Sequence, residues 1–299
     1  MTKSFTNLLG IIITILAGTY FYINYCSSCR VAVEEVPTVV VPAAPIPTSY
    51  PFEFSDGKYA YKVNDNYNFN VSSSDILLPL SPKVGRGLEG LRTFLAENLG
   101  KSFNITGYYK SDENNNTAFP NLGLARANAV KNHLVSQGIP SAQINTMGQL
   151  MDSMVPDGNT YKGPVAYAFE GESATAKDDL KALYDKIKAE PLVLYFETSE
   201  STIELTPEQR QRFADISKYL DKDANASCTI TGYTDNTSNR TTNMALGQRR
   251  ADFAKEYLIK NGLSGTRIKT SSKGPDDPVA SNTTEEGRAK NRRTIVTLN

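Results

Sequence analysis

The sequence predicts a layered α/β sandwich that is built twice, in tandem, behind one membrane-spanning helix. Three observations support this prediction. Segments with the alternating apolar pattern of strands are interleaved with segments of helical periodicity. The same order of segments recurs about 125 residues later, which indicates an internal repeat. An almost wholly apolar run precedes both copies near the N-terminus.

The apolar run extends from Leu8 to Tyr25. Its eighteen residues span roughly 27 Å as a helix, just enough for the hydrocarbon core of a bilayer. No small-residue cleavage pattern or lipobox follows, so we expect an uncleaved anchor over residues 1–30. The flanking charges weakly favour a cytoplasmic N-terminus, although Arg30 opposes this orientation.

A proline-rich linker is predicted over residues 31–50, where the proline content excludes a helix or a central strand. Fully extended, it would lift the following domain roughly 60 Å off a membrane. Cys26 and Cys29 precede it as a C-x-x-C motif. Because this motif follows an apolar run and lies outside any βαβ unit, we do not expect thioredoxin-like chemistry, whereas an intermolecular or vicinal disulfide stays open.

The two copies are assigned to residues 51–171 and 191–299, with a connecting helix within residues 172–190. Each copy has the pattern strand, helix, strand, helix, strand, loop and final strand. The segment FNITGYY of the first copy corresponds to CTITGYT of the second, and LGLARA corresponds to LGQRRA. In the second copy the predicted elements are Leu192 to Glu197, Pro207 to Leu220, Ser227 to Tyr233, Asn243 to Asn261, Arg267 to Ser271 and Thr294 to Leu298.

Composition excludes several classes of function. Lys plus Arg and Asp plus Glu both total 32, so no net field favours nucleic acid. With His133 as the only histidine, neither a histidine-based metal cluster nor a Ser-His-Asp triad is expected. Cys228 alternates with strand residues and is interpreted as a small buried hydrophobe. Nothing in the sequence indicates a metal or an organic cofactor.

A candidate ligand site follows the second strand of the second copy. Asp235 comes just after the strand end, and Arg250 lies on the following helix, beside a predicted apolar stripe formed by Leu246, Phe253 and Tyr257. A guanidinium beside a core requires a carboxylate or several acceptors, and Asp235 is the nearest candidate in the sequence. The two residues form either a ligand site or only a structural ion pair, and Thr234 beside them either donates a hydroxyl or caps the loop.

The motif GYTD, followed by Asn243, Arg250 and the segment Asn291 to Arg293, resembles the OmpA-like peptidoglycan-binding domain. The similarity covers Leu192 to Asn299, and the first copy only at the level of the fold. The resemblance implies a mixed sheet with helices packed on one face.

The resemblance also implies a ligand, the diaminopimelate of the peptidoglycan stem peptide. The carboxylate of Asp235 would take its ammonium and the guanidinium of Arg250 its carboxylate, with Asn243 beside them. Arg292 or Arg293 would also reach the ligand carboxylate. Only one of these two arginines can do so, because neighbouring strand residues point in opposite directions. Residues Glu197 to Ser199 are a looser candidate for the pocket rim.

The first copy departs from this pattern where the ligand would bind. Lys110 stands in place of Asp235, Phe119 lies near the Asn243 position, and Lys162 to Pro164 replace the two arginines, while Arg126 is retained. Asp112 is a candidate substitute for the missing acid. We expect this copy to keep the fold and lose the ligand.

The leading hypothesis is therefore a non-enzymatic, membrane-anchored module that binds peptidoglycan in the periplasm of a Gram-negative-type cell envelope. A scaffold role, in which the first copy binds another envelope protein or packs on the second copy, is compatible with it. A motor stator subunit is disfavoured because the apolar helix has no Asp or Glu to carry ions. A hydrolase would need a carboxylate pair from residues such as Glu200, Glu204 and Asp235, which are more simply solvated charges.

Overall fold

The computed structural model of the chain describes residues 3–26, 45–171, 175–196 and 204–299. The chain divides into two compact units, Met1–Pro45 and Ile46–Asn299. The predicted linker lies mostly outside the described residues, as do Cys29 and the segment Glu197 to Ser199.

The N-terminal unit contains one apolar helix. Helix α1 (Lys3–Phe21) continues into a π-helical turn, Tyr22–Cys26. The stretch Phe5–Cys26 is 22 residues long with a mean hydropathy of 1.6, so its length and composition suffice to cross a membrane. Its polar side chains do not interrupt it, because Thr14 and Thr19 each donate a hydrogen bond to a carbonyl four residues earlier.

Among its described residues the larger unit contains six α-helices, one four-stranded sheet, one three-stranded sheet and two two-stranded sheets. Its first half comprises β1 (Phe52–Ser55), β2 (Ala60–Val63), β3 (Phe69–Asn70), α2 (Pro82–Glu97), β4 (Lys101–Tyr109), α3 (Leu122–Ser136), β5 (Ile144–Leu150), β6 (Thr160–Tyr161) and β7 (Val165–Gly171). Its second half comprises α4 (Ala176–Ala189), β8 (Leu192–Tyr195), α5 (Pro207–Lys222), β9 (Cys228–Tyr233), α6 (Arg240–Lys260), β10 (Ile268–Gly274), α7 (Glu285–Asn291) and β11 (Arg293–Leu298).

The second-half sheet has the strand order β10-β9-β11-β8. Strand β9 runs parallel to β10 and antiparallel to β11, which in turn runs antiparallel to β8. Alternate residues of β9 are fully buried, so one face of the sheet packs under the helices. The described elements begin and end within three residues of the predicted ones, except that α7 was not predicted.

The first-half sheet has the order β5-β4-β7, with the same directions as β10-β9-β11. The expected fourth strand does not join it: β3 pairs with β6 instead, and an unpredicted hairpin of β1 and β2 lies ahead of it. At its first residue, β7 accepts a hydrogen bond from the buried amide of Asn66 instead of from a strand. The Nδ2 of Asn66 donates to the carbonyl of Val165, and its Oδ1 accepts from the Tyr167 hydroxyl at 2.7 Å.

The two halves share a core, although the sequence assigns them to separate domains. The ring of Phe119, just before α3, packs edge-to-face against Phe213 of α5 with centroids 5.0 Å apart. Lys131 of α3 forms an ion pair with Asp221 of α5, and its own exposure is only 2%. Residues 51–171 and 191–299 are therefore packed together within one compact unit, and the domain boundaries stay a prediction.

Candidate ligand-binding site

Asp235 lies immediately beyond β9, in the loop that leads into α6, and it is buried. Its Oδ1 accepts hydrogen bonds from the backbone N–H of Thr237 at 3.1 Å and from the Thr237 hydroxyl at 2.6 Å. Its Oδ2 accepts from Nη1 of Arg292 at 3.2 Å. Burial acts to raise the pKa of Asp235, but these hydrogen bonds outweigh it, so the pKa lies below its ordinary value and the carboxylate is ionised at neutral pH.

Arg292 joins two carboxylates at the junction of α7 and β11. While its Nη1 donates to Asp235, its Nη2 donates to Oε1 of Glu285 at 2.8 Å. Burial acts to lower the pKa of Arg292, but its hydrogen bonds to Glu285 and Asp235 outweigh it and leave the pKa above the ordinary value. The structural ion pair of Asp235 is therefore with Arg292, whereas the sequence suggested Arg250 as its partner.

Arg250 is almost completely buried, with an exposure of 1%. Its guanidinium carbon lies 5.3 Å from the centroid of the Phe196 ring, a cation–π distance. Burial lowers the pKa of Arg250, and the negative charge of Asp235 opposes this effect. Since an arginine does not deprotonate in a protein, the site contains a buried cation within the field of a buried anion.

Arg250 lies inside the buried stripe of α6 and not at its border, which corrects the predicted stripe. Leu246, Phe253 and Tyr257 are only half-buried. The buried residues of α6 are Asn243, Gly247, Arg250, Ala251, Ala254 and Leu258. The stripe is rotated because α6 crosses β9 at a glycine: a Cβ on Gly232 would lie 1.9 Å from the carbonyl oxygen of Gly247.

Asn243 and Thr234 hold the loop that carries Asp235. The amide Nδ2 of Asn243 donates to the carbonyls of Asp235 and Ser238 at 3.1 and 3.0 Å, and the Thr234 hydroxyl donates to the Asp235 carbonyl at 2.8 Å. Both side chains are buried. The structure brings them to the site as supports of the loop backbone.

Arg293 faces away from Asp235. Its guanidinium carbon lies 3.9 Å from the centroid of the Tyr233 ring, and its Nη2 donates to the carbonyl of Asp277 at 3.0 Å. Of the two neighbouring arginines, Arg292 is thus the one at the carboxylate. Asn291, which precedes them, binds the preceding loop: its Oδ1 accepts from the backbone N–H groups of Val279 and Ala280.

The first copy retains an arginine but supplies a different acid from the predicted one. Asp112 is exposed and pairs with Lys110, whereas Glu113 pairs with the buried Arg126. Phe119 belongs to the shared core. Lys162 is exposed and pairs with Asp157.

Sequence reasoning missed Glu285 and Thr237 in the second copy. The signal for Glu285 was a helix start, since Thr284 caps α7 and acidic residues fill its first turn. Glu200, a candidate carboxylate for hydrolysis, lies outside the described residues. Within the described part of the chain, no group of three or more His, Cys, Asp or Glu residues is placed to hold a metal ion.

Comparison with known proteins finds relatives of the part of the chain that contains these residues. The model of the OmpA family matches residues 195–292, which include β9, α6 and the junction of α7 with β11. Residues 195–292 form an OmpA-family domain. The chain is 31% identical over 144 residues to the probable lipoprotein YiaD of Escherichia coli, covering 46% of this chain and 65% of that protein. It is 46% identical over 74 residues to the peptidoglycan-binding protein ArfA of Mycobacterium bovis, covering 25% of this chain and 23% of that protein.

A solved structure similar to part of the chain is that of the peptidoglycan-associated lipoprotein from Burkholderia pseudomallei. The match has 25% sequence identity and a TM-score of 0.33, and covers 36% of this chain and 89% of that one. The chain spans less than two thirds of the length of the curated relatives above. The matched residues include the strands β9 and β10 and the site residues Asp235, Arg250 and Arg292, while the assignment of the first copy to the same family stays a prediction.

Proposed function

We propose that the chain binds peptidoglycan non-covalently through the OmpA-family domain, with the diaminopimelate of the stem peptide as the bound group. The observation that supports this is the pair of buried opposite charges, the ionised Asp235 and the cationic Arg250, on neighbouring elements. A zwitterionic amino acid end requires one group of each sign in such an arrangement. The similarity to the peptidoglycan-binding protein ArfA supports the choice of polymer.

In this proposal the ligand ammonium meets Asp235 and the ligand carboxylate meets Arg250. Three hydrogen bonds from the described residues reach the carboxylate of Asp235, which offers about four lone-pair sites, so it can accept one more donor from the ligand. Arg292 stays bound to Glu285 while it shares Asp235 with the ammonium. Asn243 and Thr234 act as positioning residues, and Arg293 stabilises the opposite face of the sheet.

Binding, and not hydrolysis, is the proposed activity. A glycosidic acid catalyst needs a carboxyl group whose pKa is raised so that it holds a proton. Asp235 has the opposite property, since its pKa is lowered and its two oxygens accept from Thr237 and Arg292. The carboxylate is thus suited to hold a cation.

A single site of this type should bind weakly. Charge-assisted hydrogen bonds contribute roughly 1.5–3 kcal/mol each, and association entropy offsets much of the sum, so we expect a dissociation constant of about micromolar to millimolar. Weak binding suffices when the chain is tethered near a polymer with many sites. The helix Phe5–Cys26 is the proposed tether to a membrane, with the larger unit in the periplasm.

The deciding experiment titrates the unit Ile46–Asn299 with free diaminopimelate and follows its amide signals by NMR. The whole unit is required, because an isolated second half would expose the core that Phe213 shares with Phe119. We expect shifts at Asp235, Arg250 and Arg292.

The comparison variants are Asp235→Asn and Asp276→Asn. Asp235→Asn should weaken binding roughly 10- to 100-fold, as expected for loss of a charge-assisted contact. Asp276 lies nearby in an exposed ion pair with Arg240, so Asp276→Asn controls for the loss of one surface charge. Equal binding by the two variants would overturn the assignment.

A further inference from the structure

The pocket around Arg126 directs four hydrogen-bond donors at one carboxylate. Nη2 of Arg126 donates to Oε1 of Glu113 at 2.5 Å, and Nη1 donates to Oε2 at 3.0 Å. The backbone N–H of Ser72 donates to Oε1 and that of Lys110 to Oε2, both at 2.9 Å. The exposures of the Arg126 and Glu113 side chains are 0% and 1%. A planar carboxylate is therefore held in a bidentate cradle with no water access.

This cradle occupies the position that corresponds to Arg250 in the second copy. Arg126 and Arg250 hold the same place in LGLARA and LGQRRA. The helices are also set on their strands in the same way: a Cβ on Gly107 would lie 2.0 Å from the carbonyl oxygen of Gly123, and the matching distance in the second copy is 1.9 Å. The two arginines therefore approach their sheets from equivalent positions.

The Arg126 guanidinium is fixed by groups other than Glu113. Its Nε donates to the carbonyl of Ser73 at 3.0 Å, and its Nη1 also donates to the carbonyl of Tyr108 at 2.8 Å. The ring of Tyr161 lies against it, with its centroid 5.2 Å from the guanidinium carbon. Backbone carbonyls and a ring would hold the cation in place without its carboxylate, so the pocket is preorganised for an anion.

We propose that the Arg126 pocket is a carboxylate-binding site that the chain fills with its own Glu113. Glu113 comes from the loop between β4 and α3, which corresponds to the loop that carries Asp235 in the second copy. The site of the first copy is thus closed by the chain itself, so we expect one stem peptide per chain, bound at the second copy. The stoichiometry rests on the proposed function, whereas the closed site does not.

The test opens the site by Glu113→Ala in the full chain, kept in mild detergent. This substitution removes one methylene and the carboxylate, which are replaced in size and charge by acetate. Thermal unfolding is measured in sodium acetate and in sodium chloride at equal ionic strength. We expect the midpoint of the alanine variant to rise by about 3–5 °C for each tenfold increase of acetate above its dissociation constant. The unmodified chain and Asp112→Ala, which changes an exposed neighbouring carboxylate, should give equal midpoints in the two salts.

Glu113→Gln is the second variant, because its side chain keeps the shape and fills the pocket without charge. It should have a lowered midpoint and no acetate response. An equal effect of acetate and chloride on the alanine variant would overturn the proposal, as would its failure to fold in either salt or an acetate response of the glutamine variant. These outcomes do not depend on peptidoglycan, so they separate this proposal from the function assigned to the second copy, which Asp235→Asn tests.

Discussion

Gly232 and Gly247 bring β9 and α6 into contact so close that a Cβ on Gly232 would lie 1.9 Å from the Gly247 carbonyl oxygen. Gly232 stands three residues before Asp235, and Gly247 three residues before Arg250. The spacing of the two site charges is therefore set by a backbone contact that no side chain can replace. The same contact keeps α6 rotated so that Arg250 is buried.

The first prediction concerns this contact. Gly232→Ala should destabilise the chain by about 1–3 kcal/mol, as other overpacked sites do, and should weaken diaminopimelate binding because α6 must move away from the strand. The matched control is Gly171→Ala at the end of β7, where a new Cβ meets nothing within 4 Å. Urea unfolding and NMR titration measure both effects. Equal behaviour of the two variants would show that the contact does not set the site.

The sequence was sufficient to predict the second half of the fold and its two central charges. Strand alternation before Asp235 and helical spacing around Arg250 are local patterns, and they predicted β9 and α6 to within three residues. The rotation of the α6 stripe was not predictable in this way. It depends on Gly232 and Gly247 meeting across the sheet, a contact between residues that periodicity treats as unrelated.

The acids that complete the two arginine sites were missed for a related reason. Glu113 and Asp112 are neighbours in a loop of irregular backbone, so sequence spacing did not determine which of them reaches Arg126. Glu285 reaches Arg292 only because α7 forms between them, and this short helix was predicted as loop. Which loop carboxylate reaches a given arginine depends on the backbone conformation of the loop, and the sequence pattern does not determine that conformation.

A second prediction tests the role of Glu285. Its side chain is 58% exposed, so its ion pair with Arg292 should contribute little to the stability of the fold. When the Glu285 carboxylate is removed, Asp235 is the remaining anion paired with Arg292. The guanidinium of Arg292 then competes with the ligand ammonium for the Asp235 carboxylate. Glu285→Gln should therefore weaken diaminopimelate binding roughly 1.5- to 5-fold. Glu286→Gln, an exposed neighbour of equal charge, is the control, and the role is refuted if both variants bind alike in an NMR titration.

A third prediction concerns acid stability. The folded-state pKa of Asp235 is lowered, so its contribution to stability is complete above its unfolded-state pKa of about 3.9 and is lost as the pH falls through the lower folded value. The Asp235→Asn variant has no carboxyl group at this position, so its stability lacks this contribution at every pH. The urea midpoints of the two proteins should differ most near neutral pH and converge as the pH falls below the unfolded-state pKa of about 3.9. A constant difference across this range would contradict the assigned pKa direction.

The fourth prediction concerns the ion pair of Lys131 and Asp221, which joins α3 to α5 across the shared core. The Lys131 side chain is 2% exposed, and its Nζ also donates to Oδ1 of Asn128 at 2.9 Å. Asp221→Ala leaves this ammonium buried without its carboxylate, so it should destabilise the chain by about 3 kcal/mol. Lys131→Met removes the more deeply buried charge and leaves Asp221, whose side chain is 23% exposed and can be hydrated, so it should destabilise the chain less than Asp221→Ala does.

In a buried ion pair, the free energy of unfolding depends strongly on which partner is removed. In a surface ion pair, it does not. Lys181 and Asp185 provide the control, because both are exposed on α4 and the loss of either partner should change the free energy of unfolding very little. Urea unfolding of the full chain, monitored by tyrosine fluorescence, gives the free energy of unfolding of each of the four variants, at Lys131, Asp221, Lys181 and Asp185. Because Lys131 and Asp221 belong to different halves, loss of Asp221 should lower the midpoint while leaving one transition if the halves unfold together. Two separated transitions, or equal destabilisation by Lys131→Met and Asp221→Ala, would contradict a buried pair within a single cooperative core.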